Sequence, residues 1–177
     1  MKLLLKFLIL ILLVIAQVSF IPALPFPFFN INIIIIGLTI FLILNNLENS
    51  LVLGVLVGVF LDLHSFHFFG LNILSIATAL ILTYLFSAKF FTNRSVYSFV
   101  FLANITLFIF EFTRFLLIFL FIFFTQGTFY QEIIYTNYFT SLIYKFLFSI
   151  IITFISFYSI NYYSKKMKSF FISVKKS

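Results

Sequence analysis

Hydrophobic residues run along this chain in six long blocks, near 3–21, 31–46, 50–64, 71–88, 96–124 and 137–161, separated by short polar or proline-rich breaks. Blocks of this length and apolarity predict helices, and the breaks carry turn chemistry. Pro22, Pro25 and Pro27 with Asn30 form the first break, where proline cannot continue a helix. Asn45–Ser50 forms the second, His64–Gly70 the third and Phe91–Ser95 the fourth. The fifth opens at Gln126 and runs to about Thr136. The second and third blocks are shorter than the roughly 20 residues that a perpendicular membrane helix needs.

Composition sets the solvent. Of 177 residues, 64% are hydrophobic and 8% are charged, where a soluble domain carries about 25% charged residues. A bilayer absorbs that much apolar surface and a soluble core does not, so the expected fold is an all-α polytopic membrane protein, a bundle of about six transmembrane helices. Residues 1–163 form one membrane domain and 164–177 a basic tail. The N-terminal block has the lysines of a signal peptide, but the region near Ala23 lacks an A-x-A pattern and further spans follow, so an uncleaved helix is expected. There is no cysteine, which excludes disulfides, thiolate metal sites and cysteine nucleophiles. The 31 phenylalanines alongside no tryptophan fit AT-rich codon usage better than an aromatic binding box.

The net charge of +7 is distributed by topology. Lys2 and Lys6 lie at the N-terminus, Lys89 and Arg94 lie in the 89–95 loop around the fourth break, and Lys165, Lys166, Lys168, Lys175 and Lys176 lie in the tail. By the positive-inside rule both termini and the fourth break are cytoplasmic. These charges flank spans and form no single basic face, which argues against nucleic-acid binding. The tail lysines suit contact with anionic lipid headgroups.

Apart from Lys6 near the start of the first block, four charges fall inside the blocks: Asp62, Glu111, Arg114 and Lys145. An unpaired charge at a helix centre costs a few kcal/mol, so these are expected to face inward and pair. Counting residues at 1.5 Å each places Glu111 in the ascending fifth helix and Lys145 in the descending sixth at the same depth, roughly 20 Å above the cytoplasmic side. A Glu111–Lys145 pair follows, with Arg114 one turn from Glu111. Ser141, Lys145, Ser149 and Thr153 recur every fourth residue and form a polar stripe, read as interhelical glue before a cavity wall. His64 and His67 near Asp62 lack further ligands, so no metal site is expected. No phosphate-binding glycine loop, nucleophile elbow or His-Glu-x-x-His is present, and no cofactor is implied.

In the third block Gly54, Gly58 and Asp62 recur every fourth residue, and Gly70 follows after seven more. On a helix each step of four advances about 40°, so the three share one face. Glycines at this spacing admit the backbone of another helix, and the acid on the same ridge then meets protein and not lipid. They are expected to close the bundle internally.

This segment, closest over Leu53–Asn72, resembles the signature region of the bacterial rod shape-determining MreD family. The Glu111-Phe112 pair, the chain length and the basic tail are also similar to that family. His64 and His67 in the outer loop, and the lack of proline after Pro27, depart from it. The resemblance implies a non-enzymatic scaffold of the cell-elongation machinery in the bacterial inner membrane. It implies binding to the single-span protein MreC, and work alongside the MreB filament and a peptidoglycan glycosyltransferase and transpeptidase that build the lateral wall. The alternative is a substrate-binding subunit of a vitamin importer, since six-span subunits of energy-coupling-factor transporters are similarly small; Asp62, Glu111 and Lys145 would then line its pocket.

Overall fold

The computed structural model describes residues 12–65, 68–90, 96–125 and 135–166, and every regular element among them is helical. The helices are α1 (Leu12–Ala23), α2 (Ile33–Leu44), α3 (Leu47–His64), α4 (Leu71–Phe90), α5 (Val96–Thr125) and α6 (Tyr135–Lys166). Lys165 and Lys166 end α6, so the first residues of the basic tail are helical. Lys2, Lys6, His67, Arg94, Lys168, Lys175 and Lys176 lie outside the described residues.

Several expected boundaries move: α1 continues through Pro22 to Ala23, and α6 spans Tyr135–Lys166 where 137–161 is expected. The second break shrinks from Asn45–Ser50 to Asn45 and Asn46, both extended. Two extended residues suffice to reverse the chain, so Leu47–Ser50 joins α3, and the Ser50 hydroxyl bonds back to the Asn46 carbonyl at 3.0 Å. The second block contracts instead: a 3-10 turn at Phe28–Asn30 precedes a helix of only 12 residues. That helix is about 18 Å long and falls short of a ~30 Å hydrocarbon core. Its start is fixed from α1, because the Gln17 side chain donates to the Ile31 carbonyl and accepts from the Ile33 N–H, both at 2.9 Å. The Asn32 side chain adds a cap on the Ile35 N–H.

Among the described residues, three helical stretches are long and apolar enough to cross a membrane: Leu47–His64, Ser98–Phe121 and Thr140–Ser159. Apolar α2 buries most of its surface, with Ile34, Ile35, Leu38, Phe41 and Leu42 in the core, and leaves Leu44 exposed at its end. Leu53 and Val57 of α3, Ile76 and Leu80 of α4, and Leu107 and Phe110 of α5 complete that core. Sequential helices pack as antiparallel neighbours, α3 on α4, α4 on α5 and α5 on α6, and α2 touches all four. The span in α6 is 11% buried against 28% for those in α3 and α5, so α6 is peripheral.

Several hydroxyls in this core are satisfied locally. Thr39, Ser75, Thr106 and Thr153 bond the carbonyl four residues earlier at 2.6–2.7 Å, as small polar residues do in buried helices. Thr83 also donates to Thr106 across α4 and α5 at 3.0 Å.

Candidate functional site

The α3–α4 hairpin is built by the four residues that stand out in the sequence. An added Cβ on Gly54 would lie 2.7 Å from Leu80 Cδ1 and 3.0 Å from Ile76 Cγ2. On Gly58 it would lie 2.8 Å from the Ile73 Cα itself. Both glycines thus face α4 of the same chain, and at Gly58 the two backbones touch. One turn further, Asp62 is 4% exposed and reaches the start of α4. Its Oδ2 accepts from the Gly70 N–H at 2.9 Å and the Ile73 N–H at 3.4 Å. Its Oδ1 accepts from the Asn72 N–H and the Asn72 Nδ2, both at 2.9 Å.

Asp62 is therefore a helix cap supplied from a neighbouring helix. The first N–H groups of α4 lack intrahelical partners and carry the positive end of its dipole, so a carboxylate there is stabilised twice. Gly70 has no side chain to cap with, and its φ of +99° is a conformation that L side chains rarely adopt. That conformation turns the chain so that the Gly70 and Asn72 N–H groups converge on one acceptor pair. Four accepted hydrogen bonds commit this carboxylate to structure, and it is poorly suited to be a general base.

The second constellation joins α5 to α6. Lys145 Nζ lies 2.7 Å from Glu111 Oε1, with Glu111 3% exposed and Lys145 17% exposed. Pairing is the condition for keeping both charges at this depth. Arg114 sits one turn beyond Glu111, and its Nε is buried without a hydrogen-bond partner. The stripe on α6 divides. Lys145 crosses to α5, whereas the Thr153 hydroxyl turns back to the Ser149 and Ile150 carbonyls, so at Thr153 the expected interhelical glue is replaced by self-capping. Ser149 Oγ is buried without a partner, as is Asn104 Oδ1 on α5.

Asp62 does not join the Glu111–Lys145 pair; it is bound to the α4 terminus instead. His64 Nδ1 lies 2.9 Å from the Phe60 carbonyl within its own helix. Among the described residues no three His, Cys, Asp or Glu side chains group as metal ligands. Two partners were missed in the sequence. Asn72 follows the Gly70 turn closely enough to have signalled a capping role, and Gln17 was the one amide inside an otherwise apolar block. No family model, curated protein or solved structure matches this chain.

Proposed function

We propose that this chain is a non-enzymatic, MreD-like scaffold of the bacterial inner membrane that binds MreC and supports rod shape and lateral peptidoglycan synthesis. The observation that carries this reading is the unity of Gly54, Gly58, Asp62 and Gly70. The residues on which the resemblance rests act together as one device, a close helix contact locked by a cross-helix cap. A device of that kind is a rigid grip and not a reaction centre. In this reading both termini and the 89–95 loop lie in the cytoplasm. The glycine face is used internally, so MreC docks elsewhere; peripheral α6, with Ile151, Phe154 and Ile155 exposed, is the surface assigned to it. The MreB filament and the wall-building glycosyltransferase and transpeptidase belong to the wider assembly.

Pull-down of the tagged protein from its native membrane in mild detergent tests this. Recovery of MreC is the expected result. Recovery of an ATPase module without MreC would overturn it in favour of a vitamin-importer subunit, with Glu111 and Lys145 as the substrate-facing charges.

A further inference from the structure

Helix lengths and contacts set the relative heights of the parts of the bundle. α2 and α3 share one foot, the extended pair Asn45–Asn46. Asn46, Glu48 and Asn49 are exposed there, as suits an aqueous surface. From that foot α3 climbs 18 residues and α2 only 12, so about 27 Å against about 18 Å. The top of α2 falls roughly 9 Å short of the top of α3.

Ring contacts agree. Residues 24–32, which link α1 to α2, rest on α6 through Phe26–Tyr144 and Phe28–Phe148, with centroids 5.0 and 5.4 Å apart. Across α5 and α6, Phe108 meets Phe146 and Glu111 meets Lys145, so the linker is level with Phe108–Glu111. Thr83 meets Thr106 across α4 and α5, which sets the start of α4 level with about Ile118. The Phe68–Phe121 stack, at 4.7 Å, fits that register. At 1.5 Å per residue the linker lies roughly 12 Å below the α3–α4 loop. α1 descends beside α2, with Gln17 bonded to Ile31 and Ile33 and Leu13 set against Gly37. The linker is thus the summit of a hairpin that stops well short of the Asp62 end.

The chemistry of that summit differs from that of the Asn45–Asn46 foot. Its exposed side chains are Pro25, Phe26, Phe28 and Phe29. Phenylalanine has no polar handle for a headgroup layer, unlike tyrosine or tryptophan. The two amides turn inward: Asn30 is buried and donates to the Pro27 carbonyl, and Asn32 caps the Ile35 N–H. Pro25 and Pro27 offer no N–H. The N–H groups of Leu24, Phe28, Asn30 and Ile31 donate to carbonyls three residues earlier, at 2.9–3.2 Å. Gln17 covers the Ile31 carbonyl and the Ile33 N–H. Non-helical backbone is tolerated at membrane depth when its polar groups are satisfied within the protein, and this turn supplies those bonds itself.

We propose that the α1–α2 hairpin turns inside the membrane, with Phe26, Phe28 and Phe29 against the acyl chains of the leaflet at the Asp62 end. The expected first and second spans are then one half-depth hairpin. A hairpin and a pair of spans both return the chain to the side it left, so the termini stay on one side of the membrane. The inference is independent of the scaffold reading and of which side the Asp62 end faces.

The chain has no cysteine, so one introduced thiol carries one nitroxide label. Full-length Ala23→Cys, Phe26→Cys and Phe28→Cys are labelled and reconstituted in phosphatidylcholine liposomes. Power saturation reads collisions with oxygen, which concentrates in hydrocarbon, and with a nickel chelate, which stays in water. Phe108→Cys, exposed on α5 at the linker level, and His64→Cys, exposed at the top of α3, are the depth standards. The oxygen-to-nickel ratio at the hairpin sites is expected to match that at Phe108 and to exceed that at His64 several-fold. A ratio equal to that at His64 would overturn the proposal and place the turn in water, at the surface or in a vestibule. Few collisions with either probe would overturn it in favour of a turn covered by protein. Ala23 is exposed at the end of α1, and its change adds a single sulfur, so loss of folding at Phe26 or Phe28 leaves the test standing.

Discussion

Asp62 and Asn72 are joined twice, the Asp62 Oδ1 accepting from both the backbone N–H and the side-chain Nδ2 of Asn72 at 2.9 Å. The contact ties the last turn of α3 to the first turn of α4 across a loop of six residues. Because the acceptor is charged and buried, its loss is expected to be costly: Asp62→Asn should lower stability by about 2–3 kcal/mol, since the amide cannot accept at both ends. Asn72→Ala removes one side-chain bond and spares the backbone bonds, so about 1 kcal/mol is expected. Thermal unfolding of the purified variants in one detergent measures both. A loss in Asn72→Ala equal to that in Asp62→Asn would contradict the cap.

Gly58 and Gly54 predict an ordering. The added methyl at Gly58 meets the Ile73 backbone, which moves only with the whole of α4; at Gly54 it meets the ends of the Leu80 and Ile76 side chains, which can rotate. Gly58→Ala is therefore expected to cost about 1–3 kcal/mol, the range for overpacking, and Gly54→Ala less than half of that. Unfolding midpoints in the reverse order would show that α3 and α4 are not held at this separation.

Much of this fold was legible because a membrane chain writes its helices as apolar blocks. The break at His64–Gly70 and the starts of α4 and α5 lie where the pattern put them. The pairing of Glu111 with Lys145 was legible because two antiparallel helices of fixed rise leave little freedom in register. What stayed hidden was contact between polar groups far apart in sequence. Gln17 gives no periodic signal, yet it fixes where α2 begins. Thr83 and Thr106 look like any hydroxyl in an apolar run until α4 and α5 are laid side by side. The acid on the glycine ridge was readable as inward-facing, but its partners are backbone N–H groups, which every residue except proline carries and no sequence pattern marks.

The Glu111–Lys145 pair predicts strong coupling. Lys145→Met leaves a buried carboxylate without its ammonium partner and is expected to cost about 3–5 kcal/mol. Glu111→Gln combined with Lys145→Met removes both charges and should recover most of that loss. A double-mutant cycle on unfolding free energies is expected to give a coupling above about 1 kcal/mol, as contacting networks do. Strict additivity would mean that the 2.7 Å contact contributes nothing to stability.

Gly70 separates backbone strain from crowding. An added Cβ there meets nothing within 4 Å, so space is no obstacle, but its φ of +99° disfavours any L side chain. Gly70→Ala is expected to cost about 1–2 kcal/mol through the backbone alone. Part of that cost is relieved if the turn relaxes, and relaxation carries the Gly70 N–H away from Asp62 Oδ2, where it now donates at 2.9 Å. In an Asp62→Asn background that bond is already weakened and the turn has less to lose by relaxing. Gly70→Ala should then cost less than it does alone, by about 0.5 kcal/mol or more, the scale of coupling between groups sharing one network. Equal costs in the two backgrounds would show that the glycine turn and the carboxylate stabilise α4 independently.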